Sequence, residues 1–309
     1  MAREVHGTIN TSGKENNMAL RINTNPGSIN AQRQLASNKN AHSSSLQKLS
    51  SGLRINAASD DAAGLAISEK LKNQVRSTSM AERNALDGIS MLQTAEGSLN
   101  EISGILIRMR ELAVQSANGT LDSSDRGFIN EEFSALKNEI DRISDVTEFN
   151  NHSLIDGSYS GSGKGVDFQI GLHASNPSRI TREIADMHAS AIGNGAVSGG
   201  GGTPATSVKA ATVTTVSNAR AAIATLDQAL SDTSDNRSDI GATINRLQVT
   251  ITNLQSAREN LSAANSRIRD VDVAEESAKM TKNNILVQAG VSILAQANQS
   301  PQMALNLIG

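Results

Sequence analysis

The stretch ARAAIATLDQALSDTSDNRSDIGATINRLQVTITNLQSARENLSAANSRI occupies residues 219–268. Steps of alternately four and three residues from Ala219 land on Ile223, Leu226, Leu230, Thr233, Arg237, Ile240, Ile244, Leu247, Ile251, Leu254, Arg258, Leu261, Asn265 and Ile268; ten of those fourteen positions are apolar. A seven-residue apolar repeat held in phase this long is the pattern that winds one helix around another. As one helix it would reach about 75 Å, wider than a compact domain of ordinary size. Residues 219–268 are therefore predicted to be a rod that needs helical partners. Arg258 and Asn265 interrupt its apolar row. Such positions are either half-exposed at a helix edge or polar devices that fix register. Arg237 and Arg258 are also long enough to reach carboxylates on a neighbouring molecule.

Composition supports a helical assembly rather than an ordinary globular core. Aromatic residues are 2% of the 309, with no Trp, one Tyr and four Phe. Ala, Leu, Ile and Val must carry the burial, as they do in coiled coils and bundles. The net charge is −3 without a block of like charges, which argues against a nucleic-acid partner. Cysteine is absent, so there is neither a disulfide framework nor a thiol nucleophile. No run approaches the length of a membrane span, so no membrane insertion is expected. The N-terminus lacks the basic–apolar–small pattern of a cleaved signal peptide.

Proline, found only at 26, 177, 204 and 301, leaves 27–176 and 205–300 free to be mostly helical. Leu92, Leu99, Leu106 and Ala113 form one apolar row, and Ala95, Ile102 and Met109 the other. Asn118-Gly119-Thr120 reads as a helix end and Ser123-Ser124-Asp125 as the cap of the next helix, whose rows are Ile129, Leu136, Ile143 and Phe133, Ile140. The short turn makes these two helices antiparallel neighbours, and both are expected to partner the rod. Segments 166–170 and 179–184 read as a small β-hairpin near 166–184. Eleven of 24 glycines lie between Gly157 and Gly202, and 186–208 reads as a short Gly-rich variable linker.

Candidate chemistry is sparse. His6, His42, His152, His173 and His188 share no i, i+4 spacing, so no zinc-protease motif exists. The run GSYSGSGKG at 157–165 lacks the hydroxyl residue after Lys164 that a phosphate loop requires, and reads as a flexible turn. Asp60-Asp61 reads as a helix cap rather than a catalytic pair. No cofactor, no metal and no enzymatic activity are expected. The first 17 residues are polar and aperiodic. Lys14-Glu15 can be encoded AAGGAG, two codons before Met18, so residues 1–17 are expected to be translated leader with the true start at Met18, or else a disordered extension.

The two ends are only weakly apolar. Ile29, Leu35, Leu46, Leu49 and Leu53 mark the first, and Val273, Met280, Val287 and Leu294, at intervals of seven, mark the last. Such segments order only on association, which is the behaviour of a self-assembling subunit. The expected subunit-packing residues are Ile29, Leu46, Leu49, Leu53, Met280, Val287 and Leu294, with Arg258 and Asn265.

Five motifs then stand out: Ser50–Ser68 (SSGLRIN…DDAAGLAIS), Arg83–Ile102, Arg108–Thr120 (RMRELAVQSANGT), Leu261–Asp272 (LSAANSRIRDVD) and Ile285–Gln302. Through them the chain resembles bacterial flagellin, the flagellar filament subunit, over about 18–157 and 210–309. It is similar to a short form without the large outer domains. The resemblance implies a mainly α fold: a long antiparallel helical bundle or coiled-coil rod with a small β-hairpin and paired N- and C-terminal helices. Segments 18–55 and 270–309 look like the inner-tube helices, and 56–195 with 205–269 like the next shell. The family starts at the position matching Met18. Further implications are a non-enzymatic homopolymer for swimming, exported unfolded through a flagellar type III apparatus and assembled at the tip. Its partners would be an export chaperone on the C-terminal segment and the filament cap and hook-junction proteins. A vertebrate Toll-like flagellin receptor would meet a surface at the matching positions Arg108, Leu112 and Glu132. The alternative is a hook–filament junction protein of the same superfamily.

Overall fold

The computed structural model describes residues 24–161, 163–194 and 207–308, the side chains of 176 and 300–308 excepted. The expected leader at 1–17, Met18 and most of the Gly-rich linker lie outside the described residues. In chain order the elements are α1 (Pro26–Ser51), α2 (Ala62–Ser116), α3 (Ser123–Val146), β1 (Glu148–Phe149), β2 (His152–Ser153), β3 (Val166–Gln169), β4 (Arg179–Arg182), α4 (Val216–Arg269) and α5 (Val273–Ile308). They fall into two compact units: one runs up to Ser68 and resumes at Ser266, the other is Glu69–Asn265.

In the larger unit the apolar rows read from the sequence are the core. Leu92, Ala95, Leu99, Ile102, Leu106 and Met109 of α2 are completely buried, as are Phe133 and Ile140 of α3. From α4 come Ala219, Leu226, Ala229, Ile240, Ile244 and Leu247, all in the same cluster. Polar ties give the directions. Arg108 reaches Glu132, and the Thr147 hydroxyl donates to Ser98 Oγ at 2.9 Å, so α2 and α3 are antiparallel. Arg110 pairs with Asp227 and Arg258 with Glu82, so α2 and α4 are antiparallel too. Along α4 burial fades beyond Leu254, and Arg258, Leu261 and Asn265 are only half-buried.

Strands β3 and β4 form the expected hairpin, with Phe168 opposite Ile180 and both side chains in the core. Gly88 of α2 gives the hairpin its seat, since a Cβ there would lie 2.7 Å from the Phe168 ring. A smaller hairpin was not anticipated. Asn150 and Asn151 take φ of 52° and 63° and turn β1 directly into β2, the left-handed pair that suits a two-residue turn. The helix cap before α3 also lies one residue earlier than expected. Asp122 is the N-cap, in a capping box with Asp125.

The expected linker over 186–208 is corrected at its described margins. Met187, Ala189, Ile192 and Val208 are nearly fully buried in the core. The amide N–H of Lys209 donates to Ala189 O at 2.7 Å and that of Val208 to Ile192 O at 3.2 Å. Lys137 of α3 donates to the carbonyls of Lys209 and Ala211. Apolar residues spaced between small and polar ones closed a core edge that Gly-rich composition concealed.

In the smaller unit α1 and α5 pack against each other, antiparallel: Asn25 Nδ2 donates to Ala297 O at 2.7 Å and Leu35 meets Gly290. Helix α1 ends at Gly52, whose φ of 71° is the left-handed C-cap conformation. The turn beyond it is tied to the chain before α5 by an isolated bridge, Leu53 with Asp270, and by Arg54 N–H to Arg269 O at 2.7 Å. Asp60 accepts from the amides of Asn56 and Ala57, and Asp61 from that of Gly64. Asp61 thus caps α2, whereas Asp60 closes the turn before it. Those two amide donors lower the Asp60 carboxyl below its ordinary range. Ile55 is buried, and a Cβ on Gly64 would lie 2.7 Å from its Cδ1. That contact keeps residues 56–68 with the terminal helices rather than with the larger unit, where a boundary after residue 55 was expected.

Candidate assembly surfaces

Lys48 and Ser277 apart, the buried and half-buried positions described on α1 are Ser28, Ala31, Leu35, Asn38, His42, Ser45 and Leu49, and on α5 Glu276, Met280, Asn283, Val287, Gly290, Leu294 and Ala297. Each set advances by alternating threes and fours, so each is one seam of a coiled coil. The seam is mixed: half-buried Leu35, Leu49, Met280, Val287 and Leu294 alternate with serine, asparagine, alanine and glycine. Ser28 Oγ donates to Asn298 Oδ1 at 2.7 Å, and Gly290 leaves 3.2 Å between a would-be Cβ and Leu35 Cδ1.

Another set of large apolar side chains on these helices points outward. Ile29 is 52% exposed, Leu46 54%, Ile285 60% and Ile293 58%, with Leu286, Val291 and Val273 also exposed. A groove along the pair is lined by Ala31, Gln34, Asn38, Leu286, Gly290 and Ile293. Of the residues expected to pack between subunits, Leu49, Leu53, Met280, Val287 and Leu294 are half-buried within this unit, and Ile29 and Leu46 are exposed. The heptad reading found the seam that closes within the chain. The outward row at Ile285, Leu286 and Ile293 lies off that period and was missed; runs of adjacent apolar residues such as Ile285-Leu286-Val287 are the signal for it.

Arg258 and Asn265 part company. Arg258 Nη1 donates to Glu82 Oε2 at 2.7 Å, and Gln255 donates to the other oxygen at 2.9 Å. Arg258 therefore has an intrachain carboxylate. Asn265 is half-buried, and its Oδ1 has no hydrogen-bond partner among the described residues. Arg108, Leu112 and Glu132 also separate. Arg108 Nε and Nη2 donate to Glu132 Oε1 at 3.0 and 2.9 Å, while its Nη1 donates to Glu111 at 3.1 Å. Those acceptors raise the Arg108 pKa further. Both ends of the pair are exposed, but Leu112 is 2% exposed and belongs to the core. A direct surface role for Leu112 does not fit that burial.

In the larger unit Phe128 is 71% exposed, Val146 and Val249 62% each, and Ile107 and Val114 about half. A solitary exposed apolar residue such as Val249 on α4 needs no explanation, but two or more large ones on each of α1, α2, α3 and α5 mark surfaces meant to be covered. Among the described residues no group of His, Asp and Glu is placed to hold a metal ion, and no helix is long and apolar enough to cross a membrane. The described residues of the run at 157–165 lie outside helices and strands, with Gly157, Gly161 and Gly163 at positive φ.

Comparison with known proteins matches residues 22–160 to the bacterial flagellin N-terminal helical region and 223–308 to the bacterial flagellin C-terminal helical region. The chain is 46% identical to the flagellin of Halalkalibacterium halodurans over 93% of its own length and 99% of that protein. It is 46% identical to the flagellin of Bacillus subtilis over 94% of its length and 100% of that protein. A crystal structure of Bacillus cereus flagellin covers 59% of the chain and 94% of that chain, at 32% identity and a TM-score of 0.43. With both helical regions matched in order and relatives spanned end to end, the chain belongs to the bacterial flagellin family.

Proposed function

We propose that this chain is a structural subunit that polymerises with copies of itself into the extracellular flagellar filament and transmits motor rotation as thrust. One observation carries the reading. The terminal helices pair through a thin seam that mixes polar and small residues with only half-buried Leu35, Leu49, Met280, Val287 and Leu294, while Ile29, Leu46, Ile285, Leu286 and Ile293 face outward. A pair built this way gains most of its apolar burial only when neighbours cover it. Relatives matched over 99–100% of their lengths are flagellins, which favours the filament subunit over the hook-junction protein.

The same reading has the chain exported unfolded and folded at the growing tip. The weak seam supports this, because a pair with little internal cohesion unfolds at low cost. An export chaperone on the C-terminal segment would cover the exposed row at Ile285, Leu286 and Ile293, and the cap and hook-junction proteins would meet the same terminal helices. The exposed Arg108–Glu132 pair is the part of the receptor-matching surface available to a Toll-like partner.

Paired substitutions separate seam from surface. Leu286→Asp with Ile293→Asp should abolish filaments seen by negative-stain imaging after salt-induced assembly, while the far-ultraviolet circular dichroism of the monomer stays unchanged. Leu294→Asp should abolish filaments and also lower the helix signal, since it strikes the seam, while residues 90–260 stay folded. If the outward double variant polymerises normally, that row is not an assembly surface.

A further inference from the structure

The segment after β4 is fastened within the larger unit by a series of hydrogen bonds. Met187 N–H donates to Ile155 O at 3.0 Å, Ala189 N–H to Asp141 Oδ1 at 2.9 Å, and Gly193 N–H to Asp232 Oδ2 at 3.0 Å. His188 sits among these anchors with its side chain 22% exposed. Its Nδ1 lies 2.6 Å from Asp186 Oδ1, and its Nε2 lies 3.0 Å from Asp145 Oδ1 in the last turn of α3.

A neutral imidazole carries one N–H and one lone pair. It can donate to one of these carboxylates, but it must then set its lone pair against an oxygen of the other. Only the imidazolium, a donor at both nitrogens, satisfies both contacts. The carboxylates are themselves held. Asp186 Oδ1 accepts the His188 amide at 3.0 Å, and the Asp186 side chain backs onto Gly157, where a Cβ would come within 3.1 Å of it. Asp141, one turn before Asp145, is engaged by the Ala189 amide and by the Lys209 ammonium at 3.3 Å, so it does not compete for the ring.

We propose that His188 is a proton-operated clamp: its imidazolium ties residues 186–193 to the C-terminal turn of α3, and loss of one proton loosens that segment. Met187, Ala189 and Ile192, nearly fully buried, are the core residues the clamp keeps covered. Burial by itself pushes the imidazole pKa down. The hydrogen bonds and charges of Asp145 and Asp186 outweigh it, and the net direction is upward. With the folded value raised, the clamp's contribution is complete below the ordinary histidine pKa and is lost as pH rises through the higher folded value.

The test uses full-length monomer. Imidazole nitrogen resonances, with His188 assigned by comparison with His188→Gln, should show both ring nitrogens protonated at a pH where exposed histidines are already neutral. Hydrogen exchange, corrected for its intrinsic pH dependence, should accelerate in peptides covering 187–193 as that one resonance titrates. Asp145→Asn should lower the His188 pKa and move the acceleration to lower pH, which a purely structural contact would not do. If His188 titrates at or below the other histidines, or if exchange at 187–193 ignores its titration, the clamp does not exist. Should His188→Gln fail to fold, the titration of the unmodified chain and of Asp145→Asn still decides the matter.

Discussion

Arg258 and Glu82 form an unequal pair. The Glu82 side chain is 12% exposed and the Arg258 side chain 41%. Arg258→Ala leaves a largely buried carboxylate with Gln255 as its remaining donor, and should cost about 1–2 kcal/mol. Glu82→Ala leaves a cation that can turn to water, and should cost nearer 0.5 kcal/mol, in the range of exposed pairs. Urea unfolding of the two variants checks the order; equal costs would mean that the pair acts as an ordinary surface contact. Residues in apolar rows were legible beforehand because a period of seven specifies a face whatever lies opposite. Leu99, Ile102 and Leu106 went where that period put them. Polar breaks in the row were not legible. Arg258 and Asn265 look alike on the sequence, and only the position of Glu82, far away in the chain, gives one a partner and leaves the other's oxygen unpaired. His188 was equally hidden, since its two carboxylates come from α3 and from the residue two before it.

Three glycines in α2 show how one residue type serves opposite ends. Gly88 is pressed against Phe168, whereas Gly97 and Gly104 have nothing within 4 Å of a would-be Cβ. Gly88→Ala should lift β3 and β4 from the helix and destabilise the larger unit. In Gly97→Ala and Gly104→Ala, helix propensity acts alone and should stabilise the monomer by about 0.5–1 kcal/mol each. Thermal or urea unfolding reads both signs. If those stabilised variants then polymerise poorly, the two glycines are kept for close approach between subunits. Helix α3 was placed correctly from its rows, but its cap was misplaced by one residue, because Asp122 and Ser123 are both good N-caps and only the reciprocal contact with Asp125 chooses between them. The β1–β2 hairpin went unread because strands this short carry no period. Asn150-Asn151 was its only mark.

Two units with unlike interiors imply unlike cohesion. Residues 69–265 fully bury three helices' worth of Leu, Ile, Met and Phe, whereas α1 and α5 only half-bury Leu35, Leu49, Met280, Val287 and Leu294 among Ser, Asn, His and Gly. Limited proteolysis of monomer should trim about 40 residues from each end and spare the middle, as expected where local opening is cheapest. Trimming followed by mass measurement shows the sites, and a resistant terminus would contradict folding on assembly. That the ends pair was readable from chain order and from the family likeness. Which apolar residues close the pair and which remain for neighbours was not, because both sets lie on the same helices and differ only in phase.

The polarity of the α1–α5 seam also governs how the ends respond to temperature. Heat capacity changes on unfolding in proportion to the apolar surface uncovered, and polar surface offsets it. Opening a seam whose leucines, Met280 and Val287 are only half-buried among serine, asparagine and glycine therefore shifts heat capacity modestly. Covering the outward isoleucines and leucines removes further apolar surface from water and adds curvature. Association through that row thus weakens on cooling as apolar contacts do, more steeply than the pair within each chain.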